Sequence, residues 1–142
     1  MRRLNRSGMT LTEITIVSMI MVIIAALAIP NYFRTVEESR ANEAKANLST
    51  IYFAQKIFKE NNSSKKYYPA AGGSSSTANS GEFADMKTQL NVDFTVTYYD
   101  IVITTAGSGS TTSYSAVATR IGRSRTYTLD SSTGSIAAAG SF

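Results

Sequence analysis

An apolar run near the start of the chain is the feature that most limits what this sequence can form. From Ile14 to Ile29 the chain is apolar except for Thr15 and Ser18. Counted from Leu11, the run has 19 residues, and as an α-helix it is about 28 Å long at about 1.5 Å per residue. That length matches a bilayer hydrocarbon core of about 30 Å. The sequence therefore predicts a helix that can span a membrane.

The charges around this run predict its orientation. Arg2, Arg3 and Arg6 precede it with no acidic residue among them. The positive-inside rule places this leader in the cytoplasm and the chain after Tyr32 across the membrane. These arginines are three of the 14 Lys and Arg residues, so the remainder carries 11 basic and 10 acidic side chains. The net charge of +4 therefore mostly reflects the leader and says little about nucleic acid.

Three interpretations of the N-terminal segment compete. A secretory signal peptide would have its small-residue cut site at Ala26-Leu27-Ala28, which would release a secreted domain after Ala28. A plain signal anchor would stay uncut. A leader cut between Gly8 and Met9 would leave the apolar run on the mature protein.

One acidic residue, Glu13, lies just inside the start of the apolar run. A carboxylate at the edge of a membrane-length segment is costly unless another group pairs with it. The sequence therefore predicts a partner for Glu13, and the residues around it indicate which one.

The stretch from Arg2 to Tyr32 closely resembles the type IV pilin and pseudopilin family, and the resemblance fades beyond it. The family pattern is a short basic leader that ends in Gly, a residue that becomes the new N-terminus, and Glu at the fifth mature position. This chain reads Gly8-Met9-Thr10-Leu11-Thr12-Glu13 and ends its apolar run in Ala28-Ile29-Pro30-Asn31-Tyr32. Met9 replaces the usual Phe, and Thr12 replaces a commoner Ile or Leu.

The resemblance implies three regions. Residues 1–8 are a leader, which an inner-membrane prepilin peptidase cuts after Gly8 before it N-methylates Met9. Residues 9–31 are a transmembrane helix that later packs in the filament core, and residues 32–142 are a periplasmic or extracellular head. The subunit waits in membrane lipid as a single-pass inner-membrane protein. An assembly platform then draws it into a homo-oligomeric helical filament.

The same resemblance gives Glu13 an assembly role. The cut creates an α-amine on Met9, and Glu13 of one subunit would pair with the Met9 amine of a neighbour. A buried polar pair that fixes register is a known use of such groups. The implied functions are attachment, twitching motility or related surface tasks, with a type II secretion pseudopilin as the alternative within the family.

The rest of the chain predicts an α+β fold. We expect a helix from Met9 to about Asn61, kinked at Pro30 because proline removes a backbone hydrogen bond. Its outer half carries one largely apolar stripe at three- and four-residue spacing, formed by Ala41, Ala44, Leu48, Ile51, Gln55 and Phe58. Residues 70–81 are rich in Gly, Ser and Ala and predict a flexible loop. A short helical turn at 82–90 follows.

An antiparallel sheet of three or four strands should pack on that stripe. Alternation predicts strands over residues 92–103, with a slip of phase at Tyr98-Tyr99, over residues 114–121, with Val117 and Ile121 among the inward candidates, and over residues 125–129 and 135–138. A Gly/Ser/Thr turn at 106–112 and a hairpin loop at 130–134 join them.

Composition argues against catalysis. The chain has no Cys and no His, so it lacks the commonest general base and the commonest zinc ligand, and we expect no enzyme activity, metal or cofactor. Asp100 and Asp130 are too few for the calcium site of major pseudopilins, which favours a pilin.

Two further groups of side chains have both a functional and a structural explanation, and we prefer the structural one. Arg120, Arg123 and Arg125, with Lys87, could contact DNA, but strand-edge charges are the simpler explanation. The aromatic residues of the helix could conduct electrons, but packing between helix, sheet and neighbour is the explanation that we prefer; they are Tyr32, Phe33, Tyr52, Phe53 and Phe58.

Overall fold

A computed structural model describes residues 9–70, 73–105 and 113–140. In chain order the elements are α1 (Leu11–Asn61), β1 (Gly73–Ser76), α2 (Ser80–Leu90), β2 (Tyr99–Thr105), β3 (Tyr114–Arg120), β4 (Thr126–Asp130) and β5 (Ile136–Ala139). The predicted leader at 1–8, which includes Gly8, and the predicted turn at 106–112 lie outside the described residues.

The chain divides into two compact units, of which one extends to Glu38 and the other begins at Ser39. The division falls seven residues after the boundary predicted at residue 32. The first unit consists, where described, of the start of α1 and the two residues before it. The second unit contains the last part of α1, α2 and all five strands.

The predicted helix stripe forms one side of the core of the second unit. Leu48 and Ile51 are fully buried, Ala41 and Ala44 are nearly so, and Ala54, which was not in the predicted stripe, is buried beside them. Full burial of a side chain such as Leu48 contributes about 2 kcal/mol. Phe58, at the end of the stripe, packs against this core while remaining partly exposed.

The strands form one antiparallel sheet in the order β1-β2-β3-β4-β5. Alternate residues of the central strands point into the core, because successive side chains of a strand face opposite ways. The buried set is Tyr99, Ile101, Ile103, Tyr114, Ala116, Ala118, Tyr127 and Leu129. The predicted α+β architecture, a long N-terminal helix with an antiparallel sheet, is therefore confirmed, with five strands instead of three or four.

The additional strand lies inside the segment predicted to be a loop. Residues 70–81 contain β1, which pairs with β2 from Gly73↔Thr105 to Ser76↔Val102, and they also contain the first residues of α2. The α2 helix is longer than the predicted turn, because the Asn79 side chain accepts hydrogen bonds from the backbone N–H groups of Gly81 and Glu82 at its start.

A second prediction was wrong. Residues 92–98 alternate in burial, with Phe94 buried, but they are not a strand in the structure, and β2 begins only at Tyr99. An extended segment with one side on a core shows this alternation whether or not it pairs with a neighbouring strand. One contact that fixes it is a hydrogen bond from Asn47 Nδ2 to the carbonyl oxygen of Thr95, at 3.1 Å.

A buried amide joins α1 to the chain that leaves it. Gln55 Nε2 donates to the carbonyl oxygen of Tyr68 at 2.7 Å, and Gln55 Oε1 accepts from the backbone N–H of Tyr68 at 2.8 Å. Gln55 is fully buried, so these two bonds satisfy both ends of its amide where water has no access.

Candidate functional site

The candidate site begins at Met9, the first described residue, which is 60% exposed. Thr10 precedes α1 and caps it, since its Oγ1 accepts from the backbone N–H of Glu13 at 3.3 Å. The Thr10 carbonyl oxygen also accepts from the N–H groups of Glu13 and Ile14. The start of α1 is thus fixed by a local hydrogen-bond pattern.

Glu13 lies in the first turn of α1. Thr10-x-x-Glu13 has the spacing of a capping box, in which the acidic residue is placed near the helix N-terminus. A carboxylate in the first turn is also favoured by the helix dipole. Sequence reasoning missed this local role, although the four-residue signal was readable.

The apolar part of α1 is exposed over its length in the first unit. Its large side chains are mostly half or more accessible, and an 18-residue window of α1 is long and apolar enough to cross a membrane. Its polar side chains bond within the helix: Thr15 Oγ1 donates to the carbonyl oxygen of Leu11 at 2.7 Å, and Ser18 Oγ donates to that of Ile14 at 2.8 Å. Pro30 lies inside α1, and the kink expected there stays a prediction.

Asp100 is a hydrogen-bond acceptor that holds β1 and the following turn to β2. Its Oδ1 accepts from Thr77 Oγ1 at 2.7 Å, from the Ala78 backbone N–H at 2.8 Å and from Ser76 Oγ at 3.1 Å. Among the residues at 9–70, 73–105 and 113–140, no three His, Cys, Asp or Glu side chains are grouped for a metal ion.

Asp130 has a separate local role in the loop between β4 and β5. Its Oδ1 accepts from the backbone N–H and the hydroxyl of Ser132, both at 2.7 Å. These hydrogen bonds hold the pKa of the Asp130 carboxyl below its ordinary value. Asp100 and Asp130 thus serve different turns.

The basic residues considered for DNA contact have local partners instead. Arg120 Nη1 donates to the carbonyl oxygen of Tyr98 at 3.0 Å, and Arg125 Nε donates to the Tyr127 hydroxyl at 3.2 Å. Lys87 forms an ion pair with Asp93 at 2.7 Å, and its hydrogen bond lowers the pKa of the Asp93 carboxyl. Two of the three arginines and Lys87 are therefore engaged within the fold.

The aromatic residues of the helix form edge-to-face ring contacts, although Tyr32, Phe33 and Phe53 are each more than 60% exposed. Tyr32 meets Phe33 at 6.0 Å between centroids, and Tyr52 meets Phe53 at 5.4 Å, both edge to face. Phe58 meets Tyr68 at 5.9 Å between centroids, also edge to face. Such pairs contribute about 1 kcal/mol beyond the free energy gained by burying their apolar area.

Comparison with known proteins finds a similarity in the N-terminal portion of the chain. The chain is 49% identical over 51 residues to the type IV major pilin protein PilA of Myxococcus xanthus (strain DK1622). The aligned part covers 36% of this chain and 23% of that relative, so less than a quarter of the relative's length is compared. No protein-family model matches the chain, and no solved structure matches it.

The fold and the anchor together define a class: a pilin-like α+β protein with a long N-terminal helix and an antiparallel sheet. Within that class, the predicted resemblance to type IV pilins is confirmed for the N-terminal portion, and the apolar helix fits a pilin anchor. The similarity agrees with the expectation of a structural protein and not an enzyme.

Proposed function

We propose that this chain is a structural subunit that polymerises into a type IV pilus-like filament for attachment, twitching motility or related surface tasks. The observation that carries the proposal is the 49% identity of its N-terminal portion to a type IV major pilin. Further support comes from a membrane-length apolar helix with Glu13 in its first turn.

The proposed route begins in the inner membrane. A prepilin peptidase cuts after Gly8 and methylates Met9, and the subunit then rests in lipid as a single-pass protein. An assembly platform next moves it into an extracellular filament. Pro30 would weaken α1 locally, because its nitrogen has no hydrogen to donate, and this would let the helix adjust its packing among neighbours.

The proposed contact between subunits joins Glu13 to the Met9 amine of a neighbour. That amine exists only after the cut, and with an ordinary pKa near 8 it is protonated at neutral pH. In a bundle of apolar helices an unpaired carboxylate or ammonium costs several kcal/mol. Pairing removes both costs and fixes the axial position of one subunit against the next.

The processing step is tested by mass spectrometry of the mature N-terminus. We expect a chain that begins with N-methylated Met9. A chain that begins at Ile29 would show instead that a signal peptidase cuts after Ala28, and the proposed subunit would then have no anchor.

The assembly role of Glu13 is tested with two substitutions that separate charge from capping. Glu13→Gln keeps a side-chain amide suited to the capping box but removes the charge, and we expect filament yield to fall at least about tenfold, which corresponds to about 1.4 kcal/mol. Thr10→Ala removes the cap and keeps the charge, so it should assemble. Normal filaments from Glu13→Gln, with insertion and cleavage verified, would contradict the proposal.

Electron microscopy of cells with and without the gene tests the location of the filament. Surface fibres that vanish with the gene support a pilus. Secretion defects without surface fibres would instead indicate a type II secretion pseudopilin.

A further inference from the structure

The described sheet has two edges, and at one of them an outward backbone N–H is already bonded to a side chain. At β1 the backbone N–H of Thr77 points inward to the carbonyl oxygen of Ile101, at 2.9 Å. The preceding N–H, that of Ser76, points outward, because successive residues of a strand alternate. This N–H donates a hydrogen bond to Glu82 Oε2 of α2 at 2.7 Å. The Glu82 carboxylate thus occupies the position where another strand would pair.

At the other edge, β5, the outward backbone groups have no hydrogen-bond partner within residues 9–70, 73–105 and 113–140. Asp130 N–H donates to the carbonyl oxygen of Ser135 at 2.9 Å, so these two residues face each other across the ladder. By alternation Ala137 and Ala139 also direct their backbone groups to β4, with which they pair at Thr128 and Thr126. The N–H and C=O groups of the intervening residues, Ile136 and Ala138, therefore point away from the sheet.

Nothing in the local sequence protects this edge. Residues 131–142 contain no charged residue and no proline, and these are the residues that usually prevent edge-to-edge pairing. Ala137, Ala138 and Ala139 are exposed, and Ile136 is half-buried. The edge is thus a short strand of small side chains beside one larger apolar side chain.

We propose that β5 pairs with β5 of a second copy of this chain, antiparallel and with the two-fold axis at Ala137. In that register Ile136 of each copy lies opposite Ala138 of the other. The outward groups of both residues then make four hydrogen bonds. Each Ile136 side chain also lies against a small Ala138. The edge is self-complementary, which makes a second copy the occupant that it fits.

This inference goes beyond the proposed function. A two-fold contact closes on itself, whereas a filament grows through head-to-tail contacts. Pairing through β5 would therefore join two free subunits or two neighbouring filaments, and it adds nothing to growth along one filament.

Engineered cysteines test the register, because the chain contains no cysteine of its own. In the proposed pair the two Ala137 residues face each other without hydrogen bonds, at about 4.5 Å between Cα atoms, within the range that a disulfide needs. The two Ala139 residues lie about 13 Å apart, since four residues separate their positions along the strand. Both side chains share the exposed face of the sheet.

The experiment oxidises full-length Ala137→Cys and Ala139→Cys chains in detergent and compares disulfide-linked dimers on non-reducing gels. We expect at least about tenfold more dimer from Ala137→Cys, because only its sulfur atoms meet bonding geometry. Contact between anchors in one micelle affects both variants equally. Equal yields from the two variants would overturn the proposal, whatever the outcome of filament assembly.

Two further changes separate strand pairing from chance collision. Ala138→Pro, added to Ala137→Cys, removes an outward N–H that makes no bond to β4, so the melting temperature should hold while dimer yield falls. Ala137→Lys and Ala137→Glu, made without cysteine, each place like charges opposite each other in the pair, so each variant alone should stay monomeric. A mixture of the two variants places opposite charges there and should form dimers. Analytical ultracentrifugation in detergent measures both. A dimer yield insensitive to the proline, or a mixture that stays monomeric, would contradict β5 pairing.

Discussion

At the scale of single residues, Gln55 occupies a position where the helix stripe is otherwise apolar. Its amide satisfies both backbone groups of Tyr68. We expect Gln55→Leu to lower the free energy of unfolding by about 3 kcal/mol, because two buried polar groups lose their partners. Urea denaturation followed by circular dichroism measures the change.

The matched control for this prediction is Gln89→Leu, at an exposed position of α2. It should stay within about 0.5 kcal/mol of the parent chain. Equal losses from the two variants would show that the buried amide is not what stabilises this junction.

Tyr114 gives the fold a predictable response to alkali. Its hydroxyl is buried with no hydrogen-bond partner among the described residues, and burial raises the pKa of the Tyr114 hydroxyl above its ordinary value. The unfolded chain loses this proton near pH 10, whereas the folded chain keeps it. Above pH 10 the unfolded state therefore binds fewer protons, and stability falls as pH rises.

We expect Tyr114→Phe to match or exceed the stability of the parent at pH 7. Above pH 10 the free energy of unfolding of Tyr114→Phe should rise relative to that of the parent by at most about 1.4 kcal/mol per pH unit. Urea denaturation at pH 7, 10 and 11 measures the difference, with Tyr32→Phe at an exposed position as control. A difference that does not change with pH would rule out this titration.

At the scale of elements, Asp100 joins β1 and its turn to β2. We expect Asp100→Ala to lower the free energy of unfolding by about 2 kcal/mol, because three donors on Ser76, Thr77 and Ala78 lose a charged acceptor. Amide hydrogen exchange should rise first in β1. Asp85→Ala, at an exposed position of α2, should change neither quantity, and unaltered exchange in β1 of Asp100→Ala would contradict this role.

The elements differ in how far sequence alone predicts them. β2 and β4 alternate apolar and polar residues, so local pattern was sufficient for them. In β3 the prediction of Val117 and Ile121 as inward residues was wrong, because the structure buries Tyr114, Ala116 and Ala118 instead and leaves Ile121 exposed.

The Gly-Ser-Ser-Ser of β1 has no such alternation. This strand forms because Asp100 bonds to it and because it pairs with residues 102–105. Residues 92–98 show the reverse case, in which alternation is real but no strand forms.

The functional features also differ in how far sequence alone predicts them. The Gly8-to-Glu13 motif and the Thr10 cap are contiguous, so both can be read from the sequence. The occupied edge at β1 depends on a contact between Ser76 and Glu82, which are placed by the fold. The open edge at β5 likewise depends on the strand order, which the composition of residues 131–142 alone does not give.

At the scale of the whole molecule, the second unit has its own core. Among the described residues, the buried core begins at Ala41. We expect chains that begin at Tyr32 and at Ser39 to be soluble and to melt within a few degrees of each other. A chain that begins at Ser49 lacks three buried residues, Ala41, Ala44 and Leu48, and should not fold cooperatively.

Thermal melts followed by circular dichroism compare the three chains. A large loss of melting temperature between the starts at Tyr32 and Ser39 would show that residues 32–38 belong to the folded head. Cooperative melting of the chain that begins at Ser49 would show that the buried stripe is dispensable.

The hydroxyls of Thr15 and Ser18 have a consequence for reversibility. Each bonds to a carbonyl of its own helix, so neither must exchange partners when the helix passes from lipid to a packed bundle and back. In the proposed assembly these two hydroxyls would therefore add no hydrogen-bond cost in either direction. Under the proposed function, the side chains of this stretch would not by themselves oppose a return of the anchor to lipid.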